Sequence, residues 1–335
     1  MDSNRRPAQV TGLPRSLYLE TTNRCDSECQ TCVRTFRTLE PAADLTLSRV
    51  REIVAQFPAL DRVVLHGIGE PLLNREIFDI VAYLKGRVPQ VLFNSDAISL
   101  TARRAGRLIE SGLDEYRVSM DAATRATYRC IRGVDQFDRV VDNVRRLMQI
   151  ARELGRATPR VSLWFTASRA NLDELPEFVR LAADLGVAEV YVQRLVFNGL
   201  GLATEENALH GQLLAREQTL LGEAEALGRG SGVAMRASGL TTPLASLGRQ
   251  APGTRHWAGC QRPWTLSYVT ANGNVLPCCI SPWVARDYEA LVLGNAFTTP
   301  FGEIWNGERY QRFRFQFESD VPPDPCRGCG LLWSL

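Results

Sequence analysis

The sequence predicts an α/β protein: a parallel sheet with covering helices over residues 16–238, followed by a smaller module of different pattern. Short apolar runs alternate with helical patterns six times in succession, the order that builds parallel strands joined by crossover helices. Runs such as Arg62-Val-Val-Leu-His66 and Gln90-Val-Leu-Phe-Asn94 are continuously apolar at their centres, as strands buried on both faces require. Polar and glycine residues collect just after these runs, where parallel α/β architectures place their ligands.

Taken in order, residues 1–15 are polar and Pro-containing and read as a loose leader. Strands are expected at Ser16–Thr22, Arg62–His66, Gln90–Asn94, Tyr116–Met120, Arg160–Thr166 and Glu189–Val196. Helices are expected at Leu47–Phe57, Arg75–Lys85, Leu100–Ser111, Phe137–Leu154, Leu172–Leu185 and Thr204–Leu227. Val233–Ala237 reads as a short further strand, and residues 239–254 as a Gly-, Pro- and Ser-rich linker. Residues 255–335 form the second module: Asn272-Gly273 is a favoured hairpin turn between Leu266–Val269 and Val275–Leu276. Phe301–Phe317 reads as a helix, before a Pro-rich turn carrying Cys326-Arg-Gly-Cys329.

A net charge of +2 gives no reason to expect nucleic acid or an anionic membrane as partner. No apolar run reaches membrane-spanning length and no signal segment opens the chain, so a cytoplasmic protein is expected. In that reducing setting nine cysteines point to metal or catalysis rather than disulfides.

Cys25, Cys29 and Cys32 stand in a C-x3-C-x2-C pattern just after the first strand. One short loop at this spacing can wrap three corners of a cubane [4Fe–4S] cluster, leaving one iron open to a substrate or cofactor. Zinc more often takes two C-x2-C pairs, or Cys with His.

With Gly67-Ile-Gly69-Glu70-Pro71 after the second strand, and the repeated strand–helix units, this loop resembles the radical S-adenosylmethionine (SAM) enzymes over residues 16–230. The resemblance implies a partial (β/α)6 barrel, a SAM-binding [4Fe–4S] cluster on Cys25, Cys29 and Cys32, and hydrogen abstraction by a 5′-deoxyadenosyl radical. An external electron donor such as flavodoxin or ferredoxin would be its redox partner. Gly67, Gly69, Glu70 and Pro71 resemble the motif that meets the methionine amino group, Glu70 accepting from the ammonium. The same run is half of a dinucleotide fingerprint, but its third glycine is missing and it follows the wrong strand.

Ser119 and Asp121 resemble contacts to ribose or carboxylate, against a helix cap by Asp121 or Thr124. Asn94, Thr166 and Gln193 end strands at the same mouth, and Arg194 is a candidate carboxylate holder or a rim ion pair. Thr31 departs from the family, which often places an aromatic residue there against adenine. His66 reads as a hydrogen-bonded structural imidazole. Cys130 and Cys279 are the thiols that would return a hydrogen atom in a radical epimerase, against plain buried packing.

Cys260, Gly273 and Cys278, with the terminal C-x2-C, resemble a SPASM/twitch auxiliary domain. Cys260, Cys278, Cys326 and Cys329 are the expected ligands of one auxiliary [4Fe–4S] cluster, a structural zinc being the alternative. The resemblance to twitch enzymes of antibiotic pathways implies a small sugar-like substrate (a sugar, aminocyclitol or glycosyl-nucleoside) undergoing dehydrogenation or decarboxylation. Alternatives are epimerisation, maturation of a ribosomal peptide, and a non-enzymatic iron–sulfur carrier or zinc-stabilised binding module. The peptide reading ranks below the sugar reading here, because no leader-binding domain fits before Cys25.

Overall fold

The structure, a computed structural model, describes residues 5–239, 241–248, 257–284, 286–327 and 329. Ten strands form one sheet: β1 (Ser16–Leu19), β2 (Arg62–Leu65), β3 (Gln90–Ser95), β4 (Glu115–Ser119), β5 (Arg160–Ala167), β6 (Glu189–Arg194), β7 (Ala234–Ala237), β8 (Leu266–Val269), β9 (Asn274–Leu276) and β10 (Gly294–Asn295). The spatial order is β10-β9-β8-β1-β2-β3-β4-β5-β6-β7, with β1 to β7 parallel neighbours in sequence order. The first six strands and their crossovers make the expected partial barrel. The second module does not stand apart: β8 pairs in parallel with β1, Leu17 opposite Ser267, and carries the hairpin to β9 and β10 outward.

The apolar runs explain the centre. Val63, Val64, Leu65, Val91, Leu92 and Phe93 are completely buried. Helix Ala102–Glu110 covers this layer with Ala105, Leu108 and Ile109, and begins where Thr101 caps Arg104. Helices Leu175–Leu185 and Phe137–Glu153 cover the following strands in the same way.

Several expectations are corrected. Residues 5–14 are tied down rather than loose: Arg6 bonds Glu318 and the carbonyls of Ala258 and Cys260, and Asn306 pairs with both backbone groups of Val10. Residues 1–4 of the leader lie outside the described residues. The helix expected at Thr204–Leu227 begins at Ala215 and runs to Ser231. Gly199, Gly201 and Gly211, all with positive φ, keep the preceding segment in turns, and Glu217 closes the helix start on the Leu214 amide at 2.7 Å. Helix Arg125–Arg132 is the one that the cap reading of Asp121 or Thr124 implied: Thr124 caps it and Gly133 ends it in the left-handed region at φ 72°. The Phe301–Phe317 pattern is split into Phe301–Trp305 and Glu308–Phe317, because the Asn306 side chain turns to Val10. In the expected linker Pro243–Gly248 is helical, while residues 240 and 249–256, including His256, lie outside the described residues. Among the described residues no helix is long and apolar enough to cross a membrane.

Candidate active site at the mouth of the barrel

The loop after β1 carries Cys25, Cys29 and Cys32, and its course is set by backbone bonds to two other segments. Glu28 N and Gln30 N donate to the carbonyls of Arg132 and Ile131 at 3.0 and 2.7 Å, and Gln30 O accepts from Leu202 N at 2.7 Å. Glycines make the close approaches possible. A Cβ on Gly69 would lie within van der Waals radius of Thr22 O and 2.6 Å from Arg24 O, while Glu70 N donates to Arg24 O at 2.8 Å. The Gly67-Ile68-Gly69 turn is further tied to the C-terminal module by Glu20. Its carboxylate accepts from Ile68 N (2.9 Å), Tyr268 Oη (2.9 Å) and Ala271 N (3.1 Å). Burial pushes this carboxyl up to about 7.

The three thiols line one cavity together with Gly67, Gly69, Glu70, Asn94, Ser119, Asp121, Thr166, Gln193 and Arg194. The expected strand-end residues thus converge, with Pro71 the exception: it heads the 3-10 turn Pro71–Leu73 behind the lining. What surface the thiols expose faces this cavity, and the protein packed around them raises all three, Cys29 to about 12. As free thiols they would stay protonated at neutral pH. Metal coordination removes that cost, because a ligating thiol is deprotonated outright. Three desolvated thiols on one cavity wall therefore fit a cluster with three protein ligands and an open corner.

The surroundings of Glu70, Arg194 and Cys130 add to what the sequence led us to expect. Glu70 is a brace: its carboxylate accepts from Leu72 N (2.9 Å), Ser95 Oγ (2.8 Å) and Asp96 N (2.8 Å), and burial beside Asp96 raises it well above the ordinary carboxylate range. Arg194 is buried rather than on the rim: its guanidinium donates to Ser246 Oγ and O at 3.1 and 2.6 Å and lies 3.4 Å from His210. Cys130 is exposed on helix Arg125–Arg132 and absent from the cavity lining, since Tyr128, Ile131 and Arg132 take the inward face. It is neither placed as a hydrogen donor nor packed as a buried hydrophobe. Asp121 sits at φ 63° and accepts from Thr166 N (2.7 Å) and Arg132 Nη1 (3.0 Å); the helix cap is Thr124.

Sequence reasoning missed Asp96, Arg132 and Trp283, all on the cavity wall. Asp96 follows the Asn94-Ser95 pair and accepts from Ser27 Oγ at 2.8 Å. Arg132 is buried with its Nε unpartnered; its place before a left-handed Gly133 was the available signal. Trp283 comes from the second module and stacks on His66, centroids 5.1 Å apart and planes at 7°. It supplies an aromatic face where Thr31 does not.

Among the described residues the His66 ring has that stacking and no hydrogen-bond partner, and burial with the nearby Arg117 charge lowers it to about 4. Its unfolded value is about 6.5. As pH falls through that value the unfolded chain takes up a proton that the native state refuses until about 4, so native stability is lost across this window. His66→Gln removes the term. In urea titrations of metal-free protein, wild type should lose about 1 kcal/mol more than the variant between about pH 7.5 and about pH 5.5; equal losses would contradict the assignment.

In the second module burial and the charges of Cys278, Cys329 and Cys260 raise the Cys326 thiol. Cys278 Sγ also meets Ser281 Oγ at 3.2 Å. Cys279 is buried and points away from the first cavity, into a neighbouring one beside Arg262.

Comparisons with known proteins agree with this geometry. The radical SAM superfamily matches residues 19–182, and the SPASM iron–sulfur cluster-binding domain matches residues 260–330. The chain is 26% identical over 327 residues to a PqqA peptide cyclase of Streptomyces rochei, covering 96% of this chain and 82% of that protein. It is 23% identical to the pre-heme d1 synthase of Dinoroseobacter shibae, covering 90% and 76% of the two chains. Among solved structures, Streptococcus suis SuiB bound to S-adenosylmethionine matches with a TM-score of 0.70 at 16% identity, over 91% of this chain and 68% of that one. A cluster loop on a parallel barrel mouth, backed by a second thiol set on the same sheet, thus has its counterpart in both matched families: this chain belongs to the radical SAM superfamily and carries a SPASM domain.

Proposed function

We propose that this radical SAM enzyme modifies a peptide, removing a hydrogen atom from an unactivated C–H of an amino-acid side chain. The similarity to PqqA peptide cyclases over nearly the whole chain, 96% and 94% for two of them, carries this reading above the sugar-like substrate. The bound cluster and SAM supply one-electron cleavage of the sulfonium and the abstracting radical. The chain's own residues hold and orient. Cys25, Cys29 and Cys32 hold the cluster, and Arg132, its Nε unpartnered and buried at the cavity wall, takes the methionine carboxylate. Trp283 and His66 offer the flat apolar face for adenine. Cys260, Cys278, Cys326 and Cys329 would hold an auxiliary cluster, which would offer an acceptor for the electron left on the substrate, and the external reductant we propose is a flavodoxin or ferredoxin.

The test uses peptides encoded by short reading frames beside its gene, produced in deuterated medium and incubated anaerobically with reduced enzyme and SAM. Deuterium should appear in 5′-deoxyadenosine by mass spectrometry. Deuterium transferred from perdeuterated sugars but not from the peptides would overturn the peptide reading.

A further inference from the structure

A second chamber adjoins the first and shares His66, Asn94, Gln193 and Ile280 with it. Its other walls include Tyr18 of β1, Arg117 of β4, Trp164 of β5, Tyr191 of β6, and Arg262 and Cys279 from the SPASM domain. Two arginines face this space, but their charges are treated differently. Arg117 carries its own counter-charge, Nε and Nη2 donating to Glu115 at 2.8 and 3.3 Å. Arg262 is 5% exposed, its Nε is buried without a partner, and no carboxylate among the described residues pairs with it. The charges that face it are those of the thiols Cys279, Cys260, Cys278 and Cys329, while its buried Nε is left an unsatisfied donor at a desolvation cost. A bound anion would remove that cost through a bidentate pair. Asn94 Oδ1, on the wall shared with the first cavity, is also buried without a partner. The rings of Trp164 and Tyr191 stack at 4.1 Å and 16°, giving the chamber one flat aromatic wall.

We propose that this chamber is a carboxylate-binding subsite: Arg262 holds a carboxylate of the substrate, and the Trp164–Tyr191 pair packs against the chain that carries it. The proposal rests on the reading of the adjoining cavity as the cofactor site, and it narrows the substrate to an acid presented beside that site. The same carboxylate chemistry belongs to an acidic side chain in a peptide and to a sugar acid. A role for Arg262 confined to balancing the charge of the neighbouring thiol cluster predicts no ligand selectivity at all.

Calorimetric titration of cluster-loaded enzyme with SAM, without reductant, separates these. The probes are N-acetylglutamate N-methylamide against its glutamine counterpart, and glucuronate against glucuronamide. On wild type one acid should bind about tenfold tighter than its amide, the value of a charge-assisted pair, and Arg262→Gln should erase the preference while leaving amide binding unchanged. Selectivity confined to glucuronate would keep the subsite and remove the peptide reading. Selectivity for the glutamate probe supports both. Equal binding of acid and amide, absence of binding, or a preference that survives in R262Q overturns the subsite. A second measurement needs no variant: the selected acid, but not its amide, should slow phenylglyoxal modification of Arg262 read by peptide mass mapping, and lack of protection counts against the proposal.

Discussion

Cys29→Ala should lose its N-terminal cluster and its formation of 5′-deoxyadenosine together, while keeping its fold. The fold should survive because the loop around this residue is held by backbone: Glu28 and Gln30 donate to Arg132 and Ile131, and Gln30 accepts from Leu202. None of those bonds uses the thiol. Replacing a half-buried thiol by a methyl group removes little apolar area, so thermal unfolding of metal-free protein should shift by no more than ~1 kcal/mol. Chemistry has no such reserve, because a three-thiolate cubane has no spare protein ligand. Iron content should fall to that of the auxiliary set alone, and 5′-deoxyadenosine to the level without enzyme. Cys130→Ala, on the exposed face of helix Arg125–Arg132, should leave both unchanged. Full iron content with turnover in Cys29→Ala would refute the assignment of this loop.

Gly69→Ala should damage both stability and function. The added Cβ meets the carbonyl oxygens of Thr22 and Arg24, which are backbone atoms of the cluster loop and cannot swing aside as a side-chain end would. Overpacking of this kind costs roughly 1–3 kcal/mol or more. Relief requires the loop to move away from β2, which breaks the Glu70 N to Arg24 O bond and shifts the cysteine loop. A lower melting temperature with reduced iron loading is expected. Gly106→Ala is the opposite case: it lies in helix Ala102–Glu110, and its Cβ meets nothing within 4 Å. That change should stabilise by about 0.5–1 kcal/mol. If both alanines behave alike, the close approach at Gly69 does not govern the loop.

The parts of the site legible in the sequence are those set by local chemistry. Thiol spacing, a Gly-x-Gly turn after an apolar run and polar residues at strand ends each sit within a few positions of one another, and the parallel sheet brings those ends to one mouth. Arg132 and Trp283 were not legible. Each reaches the cavity from an element whose placement depends on distant packing, the first through a short helix tied to the cluster loop and the second through the SPASM domain. The bonds that hold Glu70 and Arg194, and the exposure of Cys130, were hidden for a related reason. Residue type says what a side chain can do, whereas its hydrogen-bond partners and its helix face decide whether it is free to do so.

By itself the sequence determined the fold class, because periodicity is a property of neighbouring residues, and its cysteine and glycine motifs carried the resemblance to the family. Only the tertiary structure decided that the second module extends the barrel's own sheet through β8, and that the Arg262 Nε is buried without a partner among the described residues in the chamber beside the first cavity. Strand partners far apart in the chain, and the desolvation of a single charge, depend on how the whole core closes, and no local pattern records that.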